Sequence, residues 1–223
     1  MRIELDFAAI LAQWPLLVSG ALWTLGLTAI SAVIGVVLGV IFAWVRISGP
    51  VWLKWIVGSY VEFIRNTPFI VQLFFFFFGL PMLGLRLSPE TASVIAMVIN
   101  LAAYATEIIR AGIQATPRGQ AEAAVSLALS RYQVFTYVVL PPALRKVWPA
   151  LVSQIIIVML GSAVCGQIST PELSFVANLI QSRNFRAFES YIVATAIYLA
   201  LAISVRALLN WVGPRYLFGG RRG

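Results

Sequence analysis

Five long apolar stretches limit what this chain can fold into. A helix needs about 20 predominantly apolar residues to cross the ~30 Å hydrocarbon core of a bilayer. Stretches that reach or approach this length lie at 16–44, 68–83, 89–113, 148–168 and 191–212. Hydrophobic residues make up 61% of the 223 residues and charged residues 11%, whereas soluble domains are about half apolar and about a quarter charged. The sequence therefore predicts an all-α integral membrane protein with five transmembrane helices, forming one domain over residues 1–223.

The second apolar stretch is the shortest, and the segment 51–64 that precedes it has the sequence VWLKWIVGSYVEFI. Its tryptophans and tyrosine are of the type found at headgroup depth, so we interpret it as an interfacial or partly embedded lead-in helix. After it, Asn66 or Thr67 is predicted to cap a new helix whose first residue is Pro68. The exact start of this span is the boundary that the sequence defines least.

The basic residues are distributed unevenly between the two sides of this five-span arrangement. With the N-terminus outside, twelve of the 16 lysines and arginines fall on the inner side: Arg46, Lys54, Arg65, Arg110, Arg118, Arg131, Arg145, Lys146, Arg206, Arg215, Arg221 and Arg222. The other four are Arg2, Arg86, Arg183 and Arg186. Because inner loops carry the excess of basic residues, the chain is predicted to run N-out and C-in. The net charge of +8 therefore indicates topology, and no nucleic-acid partner is expected.

Metal and thiol chemistry has few residues to work with in this composition. Histidine is absent, and Cys165 is the single cysteine and lies in an apolar stretch. A structural zinc site needs several cysteine or histidine ligands, and an internal disulfide needs two cysteines. The sequence therefore predicts no metal site and no catalytic imidazole.

Polar side chains inside two of the predicted spans are candidates for a transport pathway. In the third span they recur at i, i+4 and i+7, which places them on one face of a helix, and the fourth span carries a comparable stripe. Polar groups at membrane depth usually face a cavity or a partner. The candidates are Asn100, Tyr104, Glu107, Gln154 and Ser162. Glu107 also lies three residues before Arg110, so a simple ion pair between them is the alternative.

A polar interruption lies between the third and fourth spans, with the sequence GQAEAAVSLALSRYQVFTYVVLPPALRKV at 119–147. Before Ser130 it is rich in alanine and leucine, which favour a helix of about 12 Å at 1.5 Å per residue. After it, Ser130 and Gln133 match a capping box that begins a second helix. Two short helices that meet at a bend fit a groove on another protein. An amphipathic helix lying on the lipid surface is the alternative.

This interruption resembles the EAA loop of ABC-importer permeases. The residues that carry the resemblance are Glu122, Ala123, Ala124, Ala128, Val138, Leu140 and Pro141. The family usually has glycine where this chain has Ala128, which keeps the residue small and removes the conformational freedom of glycine. The stretch EFIRNTPFIVQLFFFFFGLP at 62–81 resembles the signature of the polar amino acid subfamily. The stretch AAYATEIIRAGIQATPRGQAEAA at 102–124 is similar to the subfamily's lead into the loop.

The resemblance implies a type I ABC importer permease-like bundle in the bacterial inner membrane. Such a chain is one of two permease subunits of an ATP-driven importer, here for a polar amino acid, beneath an extracytoplasmic binding protein. The loop at about 117–141 would supply coupling helices that dock onto a cytoplasmic ATPase dimer, with Glu122 accepting a charge-assisted hydrogen bond. Pro141, which lacks an amide hydrogen, would fix the beginning of the fourth span.

Energy would have to come from that partner. The chain has no G-x-x-x-x-G-K-[ST] phosphate-binding loop. It is therefore expected to be no enzyme and to bind no cofactor of its own, with ATP and Mg²⁺ held by the ATPase.

One departure from the subfamily concerns the fourth span. Many members carry a K-D-[TS]-S-L-like stretch there, whereas residues 159–169 read MLGSAVCGQIS and keep Ser162 without the lysine or the aspartate. Either other groups hold the substrate, or this chain is the less engaged half of a heterodimer. Whether the second permease is another copy or a homologous chain stays open.

The predicted outer segment 181–190 is a candidate for contact with the binding protein, through Arg183, Arg186 and Glu189. A solvated loop is the alternative. Two other functions also stay open. One is an ion-gradient-driven secondary transporter or channel, against which the lack of internal repeats argues. The other is a membrane subunit that binds partners without transporting solute.

Overall fold

The computed structural model describes residues 5–217, and these fold only into helices and their connections. Arg2, Arg221 and Arg222, which contribute to the charge asymmetry, lie outside the described residues. The α-helices are α1 Ala8–Leu11, α2 Trp14–Ser48, α3 Val51–Arg65, α4 Phe69–Phe74, α5 Pro89–Gln114, α6 Arg118–Ser126, α7 Arg131–Gln133, α8 Leu140–Gly161, α9 Leu173–Asn184 and α10 Ala187–Val212. Turns of π-helix lie at Phe75–Gly79, Val134–Val139 and Gly213–Leu217, and turns of 3₁₀-helix at Leu80–Leu83 and Ser162–Ile168.

Four continuous helical runs are long and apolar enough to cross a membrane. They are Trp14–Ser48, Pro89–Gln114, Arg131–Ile168 and Ala187–Arg215. A fifth span is broken, because Val51–Arg65 and Phe69–Leu83 meet at an angle of 110°. With this bent pair counted as one span, the all-α membrane architecture with five spans is confirmed.

The break in the second span is built differently from the prediction. Asn66 Nδ2 donates to the Glu62 carbonyl oxygen at 2.7 Å and Thr67 Oγ1 donates to the Phe63 carbonyl oxygen at 2.9 Å, so both side chains close the end of α3. The prediction that either residue caps the next helix was wrong. Pro68 has the extended backbone of an N-cap residue (φ −63°, ψ 139°) and leaves no position for them in that role.

The fourth span begins earlier than predicted. The helical run starts at Arg131, in place of residue 148, and continues through Pro141 without interruption. Pro141 follows the π-helical turn Val134–Val139, where carbonyls bond further along the chain than in an α-helix. The missing amide hydrogen of the proline is therefore tolerated. Pro141 does not separate the span from residues 117–141, which the resemblance predicts to be a coupling segment.

The centre of the bundle is the crossing of α2 and α5. A Cβ atom on Gly39 would lie 2.6 Å from Ala105 Cβ and one on Gly35 would lie 3.0 Å from Leu101 Cβ. Real Cβ contacts are not as short as 2.6 Å, so only glycine fits at position 39, whereas a Cβ atom at position 35 would require the Leu101 side chain to shift by a few tenths of an ångström. The two glycines thus serve packing within the chain, and Leu101 and Ala105 are fully buried against them.

The sequence did not predict α9, which packs against α2 and α10. Its N-cap is Glu172, a fully buried carboxylate that accepts hydrogen bonds from the amides of Ser174 (3.0 Å) and Phe175 (2.7 Å). The hydroxyl of Tyr198 on α10 donates a third hydrogen bond at 2.5 Å. The carboxylate therefore joins the beginning of α9 to α10. The segment predicted as an outer loop at 181–190 consists of the end of α9 and the beginning of α10.

Candidate functional site

The segment between α5 and α8 presents α6 at one end of the bundle. Glu122 and Ala123 are exposed on this helix, and Ala124 turns inward with 5% of its surface accessible. The inner side of α6 packs against the π-helical turn Val134–Val139. The short alanines therefore serve both faces: they allow α6 to lie close to the bundle, and they leave a slim outer surface around a single carboxylate.

The bend after α6 has a specific backbone geometry. The amide of Leu129 donates to the Ala124 carbonyl oxygen at 3.3 Å, and the amide of Ala128 donates to the Val125 carbonyl oxygen at 2.9 Å. These two bonds form a Schellman motif, in which the residue just after the helix C-cap, here Ala128, takes a left-handed conformation. Ala128 has φ of 60°, as this motif requires. The family's usual glycine at this position thus has a physical reason, and the alanine keeps the bend at a cost of about 1 kcal/mol.

A capping box begins the helix on the other side of the bend, as predicted. The Ser130 amide donates to Gln133 Oε1 at 2.8 Å, and the Gln133 amide donates to Ser130 Oγ at 3.4 Å. From there the helix continues through Val138, Leu140 and Pro141, all half-buried, into α8. The part of the coupling segment after the bend therefore continues into α8 as one helical run from Arg131. Only the bend at 127–130 separates α6 from this run.

The polar face predicted on α5 points toward α3 and α4. Asn100 Nδ2 donates to Gln72 Oε1 at 3.1 Å, and the Arg65 guanidinium lies 5.6 Å from the centre of the Tyr104 ring. Arg110 Nε donates to both carboxylate oxygens of Glu107 at 3.1 Å. The structure therefore brings Asn100, Tyr104 and Glu107 to one face, and it also forms the ion pair that was the alternative for Glu107.

Three residues of this polar face were missed by the sequence reasoning: Gln72, Arg65 and Arg46. Gln72 is buried, and its Nε2 donates to the carbonyl oxygens of Ile64 (2.8 Å) and Thr67 (3.0 Å) across the break between α3 and α4. Arg46 Nη2 lies 3.8 Å from Glu107 Oε1. The sequence did carry a signal for Gln72, since it is the single polar side chain in the apolar stretch at 68–83.

The candidates from the fourth span do not join this face through any hydrogen bond among residues 5–217. Ser162 is fully buried, and its hydroxyl donates to the Met159 carbonyl oxygen at 2.7 Å, so it is engaged within its own helix. Gln154 is half-buried on α8. A pathway formed jointly by the two stripes stays a prediction.

A comparison with known protein families shows which family the chain belongs to. Residues 35–218 match the family described as "Binding-protein-dependent transport system inner membrane component". The chain belongs to this family. The resemblance to ABC-importer permeases is therefore confirmed. The permease is therefore an inner membrane protein, in agreement with its apolar helices.

Named relatives of the permease are amino acid transport proteins. The arginine transport system permease protein ArtQ of Bacillus subtilis is 34% identical over 212 residues, covering 95% of each chain. The glutamine transport system permease protein GlnP of Escherichia coli is 34% identical over 210 residues, covering 93% of this chain and 96% of that protein.

Solved structures agree with this fold. A crystal structure described as an amino acid ABC transporter with histidines superposes with a TM-score of 0.85 at 38% identity, covering 96% of this chain and 100% of that chain. An inward-facing structure of the MetNI methionine ABC transporter has a TM-score of 0.71 at 21% identity, covering 92% of this chain and 96% of that chain, and it shows the fold alone. The type I importer permease-like bundle is confirmed.

The outer candidates of the permease have different surroundings. Arg186 pairs with Asp6 at 3.2 Å and with Glu189 at 3.4 Å, and the Asp6 amide donates to the Glu189 carboxylate at 3.2 Å. Glu189 is 6% exposed, so its carboxylate fastens the N-terminal segment to the beginning of α10. Arg183 is exposed at the end of α9. Contact with a binding protein stays a prediction, and it depends mainly on Arg183.

Proposed function

We propose that this permease is the transmembrane subunit of an ATP-driven importer for a polar amino acid. It would pair with a second permease, receive substrate from an extracytoplasmic binding protein and dock onto a cytoplasmic ATPase dimer that holds ATP and Mg²⁺. The orientation is N-out and C-in, with the segment 117–141 in the cytoplasm. The observation that carries the proposal is the exposed α6, closed at its C-terminal end by a Schellman motif, in a chain of this family.

The coupling role rests on how α6 is connected. Residues 115–117 join it to α5, and residues 127–130 join it to the helical run that becomes α8. Both connections are short, and the second is fixed by the Schellman motif and the capping box. When closure of the ATPase moves α6, α5 and α8 must follow, because there is little slack chain to absorb the displacement. The polar face of α5 would move with them and change its access to either side of the membrane.

Charge reversal at Glu122 tests this role. In a reconstituted importer, Glu122→Lys replaces the exposed acceptor of α6 with a cation, and we expect substrate-stimulated ATP hydrolysis to be lost. Weaker docking by about tenfold or more would accompany the loss, because an interfacial charge pair becomes a repulsion. Glu90→Lys, the same charge reversal near the beginning of α5, is the matched control and should keep the stimulation. Unchanged hydrolysis in Glu122→Lys would contradict the docking role.

The first measurement is the identity of the partners. A tagged permease is purified gently from native membranes, and the proteins that accompany it are identified by mass spectrometry. An ABC-type ATPase and a second permease support the importer and separate homodimer from heterodimer. A permease that arrives alone, and that catalyses uptake in liposomes without ATP, would support the gradient-driven alternative.

A further inference from the structure

A basic cleft of about 1100 Å³ opens at the end of the bundle that carries α6. It lies between the ends of α2, α3 and α5 on one side and α6 with the following π-helical turn on the other. Four basic side chains line it together with an apolar wall that includes Val134 and Phe135. The basic residues are Arg46, Lys54, Arg110 and Arg131.

The positive charge of this cleft is only partly balanced. Glu107, behind the cleft, pairs with Arg110 at 3.1 Å and with Arg46 at 3.8 Å. Lys54 and Arg131 make no side-chain hydrogen bond or ion pair within residues 5–217. Glu122 does not line the cleft. One carboxylate thus balances Arg46 and Arg110, and Lys54 and Arg131 have their full hydrogen-bonding capacity available for a bound anion.

Two exposed tryptophans indicate the depth at which the cleft opens. Trp52 and Trp55 flank Lys54 on α3 and are 62% and 73% exposed. Tryptophan is enriched at the headgroup level of membranes, where its ring meets both lipid and water. The neighbouring Val51 and Ile56 are also exposed on α3, as expected for a helix that lies against lipid. The cleft therefore opens toward the lipid headgroups, with its apolar wall behind.

We propose that this cleft binds the phosphate-bearing headgroup of an anionic phospholipid. Lys54 would contact the phosphate as a point charge and Arg131 through its planar guanidinium, while Arg46 and Arg110 add to the local positive potential. Basic pockets between transmembrane helices on the cytoplasmic side are suited to such headgroups. The proposal rests on the proposed function only in assigning this end to the cytoplasmic leaflet.

The bound lipid would connect two parts of the permease. Lys54 belongs to the lead-in helix of the broken span, whereas Arg131 begins the helical run that leaves the coupling segment. A phosphate held by both cations would link these two elements. An ATPase, by contrast, would meet the outer surface of α6 around Glu122, so lipid and ATPase occupy different faces of the same segment.

The test compares lipids that differ only in headgroup. The permease, purified with the subunits that accompany it, is titrated with phosphatidylglycerol or phosphatidylcholine of identical acyl chains, and bound lipids are counted by native mass spectrometry. We expect preferential binding of phosphatidylglycerol. Lys54→Gln and Arg131→Gln should each weaken it by about fivefold, and the double variant by about 25-fold. Arg206→Gln, which removes an exposed cation on α10 outside the cleft, is the matched control and should bind as the wild type does.

Three outcomes would overturn the proposal. They are equal binding of both lipids by the wild type, full phosphatidylglycerol binding by the double variant, and complete displacement of the lipid by inorganic phosphate, which would make a soluble anion the ligand. Thermal unfolding in lipid-free detergent verifies that the variants are folded. Absence of an ATPase from the purified sample contradicts the proposed function instead, and the lipid titration remains valid on the permease alone.

Discussion

The α2–α5 crossing differs from the coupling segment in how the helices are held in place. At the crossing, glycine brings two backbones together deep in the bundle, where Leu101 and Ala105 are fully buried. In the coupling segment, most of α6 is exposed, and the bend that follows it is fixed by hydrogen bonds between residues three to five positions apart. Where water is absent, close packing determines the geometry. Where water competes, local caps must do so.

The difference has a functional consequence. A packed crossing has two rigid surfaces and resists displacement, because any shift opens voids or overlaps atoms. A capped helix on the surface can move as one body while keeping its internal bonds. The permease therefore combines a tightly packed centre with an exposed, locally bonded helix. Substitutions in the two regions should differ in the size of their effect and in the property they change.

Gly39→Leu should give the largest effect, since its side chain would overlap Ala105 and the backbone at Thr106. We expect the free energy of unfolding in mixed micelles to fall by about 3 kcal/mol or more. Gly26→Leu, on the same helix, is the control, because a Cβ atom at Gly26 would meet nothing within 4 Å. Equal stability of the two variants would show that the crossing is not tightly packed.

Gln72→Ala should give the next effect, because Asn100 and the carbonyl groups across the break lose a buried partner. The free energy of unfolding should fall by about 2 kcal/mol. Gln114→Ala, at the exposed end of α5, removes an amide that accepts only from Arg110. It should change stability by less than about 0.5 kcal/mol. A similar loss in both variants would argue against the bridging role of Gln72.

Ser130→Ala should weaken the beginning of α7 by about 1 kcal/mol, because the Gln133 amide loses its side-chain acceptor. The change is local, so the measurement is amide hydrogen exchange at 131–134, which should accelerate by about fivefold. Ser126→Ala removes a hydroxyl from the same exposed segment that caps nothing, and exchange at these amides should not change. The global unfolding free energy should not change in either variant, in contrast to Gly39→Leu.

Ala128→Gly should give the smallest effect and one of opposite sign. Glycine takes the left-handed conformation without strain, so the bend should become more stable by up to about 1 kcal/mol, reduced by the larger entropy of the unfolded chain. Slower exchange of the Leu129 amide would report the gain. Ala123→Gly, within exposed α6, should instead destabilise the helix by about 1 kcal/mol. Faster exchange in both variants would contradict the strain assigned to Ala128.

Much of the fold was predictable because hydropathy and capping are local properties. The third span at 89–113 corresponds to Pro89–Gln114, and the capping box at Ser130 and Gln133 is present. The prediction failed where a local rule has two solutions. Pro141 lies in the first turn of α8, as at the beginning of a helix, yet the helical run continues back to Arg131. Asn66 and Thr67 can close one helix as well as begin another.

The candidate site was predictable as a set of residues and only partly as an arrangement. Spacing alone placed Asn100, Tyr104 and Glu107 on one face of α5. It did not reveal that this face meets Gln72 and Arg65, or that Ser162 bonds within its own helix. Nor did it reveal that Glu189 is buried in an ion-pair cluster with residues near the N-terminus. Each of these facts depends on which helices are neighbours.

The sequence by itself determined the membrane class, the number of spans and the capped interruption that marks the family. These follow from apolar length and from hydrogen bonds within a few residues, and both can be read along the chain. Only the tertiary structure decided the bend of 110° in the second span, the Gln72 bridge that holds it and the basic cleft beneath α6. They arise where residues distant in sequence approach within a few ångströms, and the free energy of that packing is a property of the whole bundle.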